Sequence, residues 1–206
     1  MNKNLLILGA GMFGTVVKEL AEEMGVFEKI GFLDDKYGSV EFEGNYHEQV
    51  IGKLEDYEKF VPDYEYAIVS IGNPDFRMEW TKKLYYVHYK IPIIVSKSAY
   101  ISESAQLSRG VIVGPMVVIN PITHVGEGTF VLAKSVIDHN SFVADYCNIQ
   151  CGTVVMPRAT VPSFTMTQPN EVVRKNGFSF TLGNHNGETV FVGERMEITT
   201  DGNVEG

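Results

Sequence analysis

His139 stands in the segment Asp138-His139-Asn140, between a carboxylate and an amide. An imidazole titrates near neutrality, so it can take up and release a proton at working pH, and Asp138 is placed to orient it. A second chemistry is carried by Gly9-Ala10-Gly11-Met12-Phe13-Gly14. Glycines at this spacing permit a tight turn and close approach of the backbone to a phosphate, and the helix start adds free N–H groups. Asp34 lies twenty residues beyond Gly14, completing the order strand, glycine turn, helix, strand, acid. The turn is therefore a candidate site for a nucleotide or nucleotide-sugar. Plainer uses exist for both features: a histidine on a solvated coil face, and glycines kept for packing.

The element that must position His139 is periodic. In steps of six, the first position reads Ile101, Leu107, Val113, Ile119, Val125, Val131, Ile137, Val143, Ile149, Val155, Val161, all aliphatic. The fifth position runs from Ala105 to Thr165 and is always small or β-branched. A period of six suits neither an amphipathic helix nor an alternating strand; it marks a left-handed parallel β-helix built of hexapeptides. Eleven hexads predict between three and four triangular coils, stacked at about 4.8 Å. Residues eighteen apart lie above one another, so His139 falls between Pro121 and Pro157, on an outward position. His124 falls at a hexad corner, and Cys147 is inward packing.

The first half predicts an α/β, Rossmann-like parallel sheet. Residues 5–9 and 29–33 read as strands flanking a helix that runs to about Met24. Residues 66–72 read as a third strand, leading into a helix with Arg77 and Trp80, and Ile91 to Val95 reads as the last strand. About 95 residues are too few for a six-stranded dinucleotide fold, so NAD(P) binding is a weak alternative. The expected divisions are 1–95 (nucleotide-sugar-binding), 96–166 (β-helix, with the repeat stopping near Met166) and 167–206. In the last, Phe178–Leu182 and Glu188–Val192 predict a β-hairpin capping the open end, and Thr200 to Gly206 are expected to fray.

Composition excludes several classes. The net charge is −9 with 44% hydrophobic and 21% charged residues, which argues against nucleic-acid or anionic-membrane surfaces. Two cysteines, Cys147 and Cys151, imply no disulfide framework. No apolar run approaches membrane-spanning length and no cleavage site follows Met1, so a cytoplasmic location is expected.

The chain resembles bacterial sugar acyltransferases of the NeuD/PglD type, which act in sialic acid and bacillosamine synthesis. The likeness rests on Gly9-Ala10-Gly11, Gly31-Phe32-Leu33-Asp34-Asp35, Ile71-Gly72-Asn73 with Arg77, and Asp138-His139-Asn140. It implies a trimeric acetyl-CoA-dependent transferase acting on an amino or hydroxyl group of a nucleotide-linked sugar, with no metal. His139 would be the general base and Asp138 its partner. Gly9, Gly11, Met12, Phe13, Gly14, Asp34, Asp35, Lys36, Gly72, Asn73 and Arg77 would hold the nucleotide-sugar. Asn148 and Gly152 would contact acetyl-CoA. Two positions depart from the family pattern: Asn148 replaces a second histidine, and Pro157, one coil beyond His139, lacks the N–H that would stabilise an oxyanion. The alternative is an inactive relative that binds a nucleotide-sugar or serves as a trimeric assembly component.

Overall fold

The computed structural model describes residues 3–38, 49–175, 179–185, 188–192, 197–198 and 204–205. Its N-terminal part is a four-stranded parallel sheet of β1 (Leu5–Leu8), β2 (Ile30–Leu33), β3 (Val50–Gly52) and β4 (Tyr66–Val69), in the order β3-β2-β1-β4. Helix α1 (Met12–Met24) links β1 to β2, and α2 (Pro74–Tyr86) follows β4. All four residues of β1 are fully buried, as expected for a parallel strand covered on both faces. Leu6 and Leu8 pack with Tyr64 and Leu84 on one face. Leu5 and Ile7 pack with Val17, Leu20 and Ala21 of α1 on the other. That second cluster continues into Ile94, Ile112 and Phe130, so sheet and coil share one core.

Gly14 explains how α1 gets so close to β1. A Cβ there would lie 2.2 Å from the Gly9 carbonyl oxygen, inside any van der Waals contact. Only a glycine lets the first turn of the helix rest on the strand end.

From residue 94 onward the chain is a left-handed parallel β-helix. Two-residue strands stack into three parallel sheets whose partners are eighteen residues apart, as in Val118, Val136 and Val154. First-position residues from Val113 to Val161 are at most 1% exposed and fill the triangular interior. The fifth position has a role beyond its small size. The hydroxyls of Thr123, Thr129, Ser135 and Ser141 donate to carbonyls fifteen residues ahead, at 2.8–3.2 Å. These groups are buried, so each must find a partner inside the coil. A hydroxyl there satisfies itself and ties one coil to the next.

Three expectations about elements change. β5 is only Ile94–Val95, and it pairs with Ile112–Val113 of the coil instead of closing the N-terminal sheet. The coil also runs past Met166. Thr167 occupies the next inward position, 3% exposed, and Glu171–Val173 stacks in parallel on Val154–Val155. Thr167 carries the wrong chemistry for the aliphatic pattern, but its Oγ1 accepts the Gln150 N–H at 2.8 Å and meets Thr153 Oγ1 at 3.0 Å. The sheets thus hold four, four and five parallel strands, more than the predicted coils. The five-stranded one is extended by an antiparallel hairpin of Ser179–His185 and Glu188–Val192. Most of the segment expected to fray, Thr200 to Gly206, lies outside the described residues; within it, Val204–Glu205 pairs with Glu197–Ile198.

Candidate functional site

The sheet order puts β2 on one side of β1 and β4 on the other, so the connections diverge between β1 and β4. In open parallel sheets, ligands sit in the crevice this creates at the carboxyl ends of the strands. Here its rims are the Gly9–Gly11 turn and the Gly72–Asn73 turn. A Cβ placed on Gly11 or on Gly72 would meet nothing within 4 Å, and Met12 beside the first rim is 71% exposed. Ser70 ties the two rims together by donating to the Gly9 carbonyl at 2.7 Å. Asn73 caps α2, its Oδ1 accepting the Phe76 N–H at 2.9 Å.

The other residues assigned to this site do different work. Asp34 Oδ2 accepts the Ala10 N–H at 2.8 Å and Oδ1 accepts the Lys36 N–H at 3.0 Å. The acid therefore fastens the glycine turn. Asp35 Oδ1 accepts from Leu54 N at 3.3 Å. Lys36 is exposed. Phe13 packs on Phe130 of the coil, with ring centroids 4.7 Å apart.

Arg77 departs most from expectation. It is 1% exposed. Its guanidinium donates to the carbonyls of Ile71 (2.8 Å), Gly72 (3.1 Å), Gly128 (2.7 Å) and Tyr146 (3.2 Å). It also donates to Asn148 Oδ1 at 2.7 Å and lies over the Phe130 ring at 3.8 Å. Burial pushes its pKa down to about 10, against 12.5 for a free guanidinium. Asn148 turns its other end to the rim, Nδ2 donating to the Gly72 carbonyl at 2.7 Å. Both side chains are spent on protein groups.

His139 is exposed at the corner between the sheet of Val136–Ile137 and that of Phe142–Val143. Its Nδ1 meets Asn140 Oδ1 at 3.0 Å. A carbonyl oxygen only accepts, so Nδ1 carries the proton and Nε2 is left as the basic atom. Asp138 does not touch the ring. Its Oδ1 accepts the His139 backbone N–H at 2.7 Å and Asn120 Nδ2 at 2.8 Å. Those two donors, the backbone one first, hold its carboxyl below the ordinary 3.8. Sequence reasoning named Asp138 as the orienting group and passed over Asn140. The usable signal was an asparagine at a coil corner, where φ is +59°, a conformation asparagine tolerates better than most residues.

One coil above His139, Pro157 offers no N–H, and the Arg158 N–H donates to the His139 carbonyl at 3.2 Å. The Gly152 N–H donates to Ala133 O at 3.0 Å. Gly152 has φ +72°, and a Cβ there would strike Asn170 Oδ1 at 2.2 Å, so its glycine is required by the coil. His124 lies on a strand instead of at a corner, stacked on Phe142 at 4.8 Å. Cys147 is buried and its thiol pKa is raised by desolvation, while Cys151 is exposed. Among the described residues, no three His, Cys, Asp or Glu side chains gather as a metal site requires, and no helix is long and apolar enough to cross a membrane.

Residues 4–84 match the family model described as the PglD N-terminal domain. Among solved structures, the acetyltransferase domain of PglB from Neisseria gonorrhoeae FA1090 in complex with acetyl coenzyme A is 24% identical, with TM-score 0.70, over 85% of this chain and 86% of that one. The same domain without that description of a ligand gives 23% and 0.73, over 87% and 97%. A mutant of GDP-perosamine N-acetyl transferase from Caulobacter crescentus, in complex with CoA and GDP-perosamine, gives 17% and 0.53, over 93% and 97%. Residues 4–84 are thus a PglD N-terminal domain, and the chain as a whole resembles bacterial sugar acetyltransferases of the NeuD/PglD type, joining a small Rossmann-like sheet to a left-handed hexapeptide β-helix.

Proposed function

We propose that this chain is an acetyl-CoA-dependent transferase that acylates an amino or hydroxyl group of a nucleotide-linked sugar. The observation that carries the reading is an exposed imidazole with Nδ1 bound to Asn140 and Nε2 unencumbered. Similar folds have been solved with acetyl coenzyme A, and with CoA and GDP-perosamine. In this reading the sugar's nucleophilic nitrogen or oxygen attacks the thioester carbonyl carbon. Nε2 of His139 takes the proton the nucleophile loses, the carbon–sulfur bond breaks, and the proton passes to the departing thiolate. Asn140 holds the required tautomer. Asp138 holds the backbone of the corner.

The crevice and His139 do not belong to one site within one chain. The crevice abuts the coil face of Ile94, Ile112, Phe130 and Asn148. His139 sits at the corner between the other two faces. The width of the coil separates them, so the reading includes a homotrimer in which a neighbour's His139 meets the crevice. Asn148 and Gly152 would then shape the acyl donor's surroundings by holding backbone.

The test is thiol release from acetyl-CoA with UDP-, GDP- and dTDP-linked amino-sugars. The wild-type chain is expected to turn over at least one, and His139→Ala to lose about 10²–10⁴ in kcat. Full activity in His139→Ala would remove the histidine from the mechanism. A second reading, a nucleotide-sugar-binding relative without activity, is favoured by one observation: Pro157 and the engaged Arg158 N–H leave that corner without an obvious oxyanion donor. Sugar-nucleotide binding without thiol release from any donor would select it.

A further inference from the structure

A fully buried guanidinium with no role in proton transfer calls for an explanation. Arg77 leaves the first turn of α2 and reaches two places at once. Toward its own loop it donates to Ile71 and Gly72, and across the core it donates to Gly128, Tyr146 and Asn148. Asn148 closes the loop of contacts by donating back to the Gly72 carbonyl. The carbonyl that forms one rim of the crevice thus receives two donors, one from α2 and one from the coil. The partners lie 51 to 76 residues apart in sequence. Aliphatic side chains would fill the same volume without the cost of desolvating a cation. They would slide, however, whereas hydrogen bonds to fixed carbonyls set a distance.

We propose that Arg77 and Asn148 are positioning residues that fix the height of the Gly72–Asn73 rim against the coil, and so the reach of a sugar bound in the crevice toward the acyl donor. The inference rests on the transferase reading for its catalytic consequence, but not for its structural one. Positional errors of about 1 Å between reacting groups can cost about 10²-fold in rate.

Asn148→Asp separates positioning from stability. The new carboxylate keeps an acceptor for Arg77 and adds opposite charge, so the fold is retained; it cannot donate to the Gly72 carbonyl. Two readouts are taken well below the melting temperature. The first is amide hydrogen exchange over residues 70–77, expected to quicken at least tenfold while exchange in the coil is unchanged. The second is steady-state kinetics, expected to show kcat reduced at least tenfold with the Kd for nucleotide-sugar and for CoA within twofold of wild type. Arg77→Lys, which keeps the charge and loses the fork, should show the same split.

Unchanged exchange in residues 70–77 would overturn the proposal, as would a kcat per folded molecule within twofold of wild type. If wild-type protein turns over no sugar at all, the transferase reading fails on its own and the exchange experiment decides the positioning claim.

Discussion

Asp138 and Asn140 divide between them a task that one residue was expected to perform. The carboxylate braces the backbone N–H of His139, and the amide fixes the ring. The folded pKa of Asp138 lies below its ordinary 3.8. Its stabilisation is therefore fully present above that pH and is lost as pH falls through the lower folded value. Asp138→Asn should flatten the acid limb of a melting-temperature profile below pH 3.8 and leave the profile near neutrality almost level. An unaltered acid limb would show that the brace contributes nothing. His139 itself was legible because its corner position follows from counting in sixes. Asn148 and Arg77 were named for the wrong partners, since contacts between residues 71 apart leave no local trace in a single sequence.

At the scale of elements, period and spacing revealed most of what local physics controls. The aliphatic column predicted the coil's interior, and the glycine turn with its helix was placed correctly. What failed was context. Ile94–Val95 has the apolar character of any buried strand, and only tertiary pairing assigns it to the coil. Thr167 breaks the aliphatic column yet fits because a neighbouring hydroxyl and N–H meet it. Asp34 matches the ribose-binding acid in spacing but is claimed first by the Ala10 N–H. The glycine turn is the tightest joint here. Gly14→Ala drives a methyl group into the Gly9 carbonyl, and relief requires α1 to lift from β1. It should destabilise by about 1–3 kcal/mol, read as a lower urea midpoint at constant slope. A midpoint equal to wild type would mean that the helix already has room.

The whole molecule places its two chemistries on opposite sides of one prism. If the site is assembled from neighbouring copies, two separately inactive chains should rescue each other. Co-expression of His139→Ala with Gly11→Trp, which fills the crevice, leaves sites with an intact crevice from one chain and an intact histidine from the other. Random mixing in a ring gives roughly a quarter of wild-type activity. Sedimentation should show three copies. Mixed particles with no activity would place both halves within one chain or remove one from catalysis.

The eighteen-residue stacking has a consequence for how such a chain can change its length. The Arg77 network reaches no further along the coil than Asn148. Beyond it the molecule behaves like a screw thread. A single inserted residue turns every inward side chain outward, whereas duplication of residues 149–166 adds one full turn and moves only the terminal hairpin, by about 4.8 Å. Growth by whole turns is thus open to descendants of this chain at its far end. Near His139 and the buried arginine, the thread is locked.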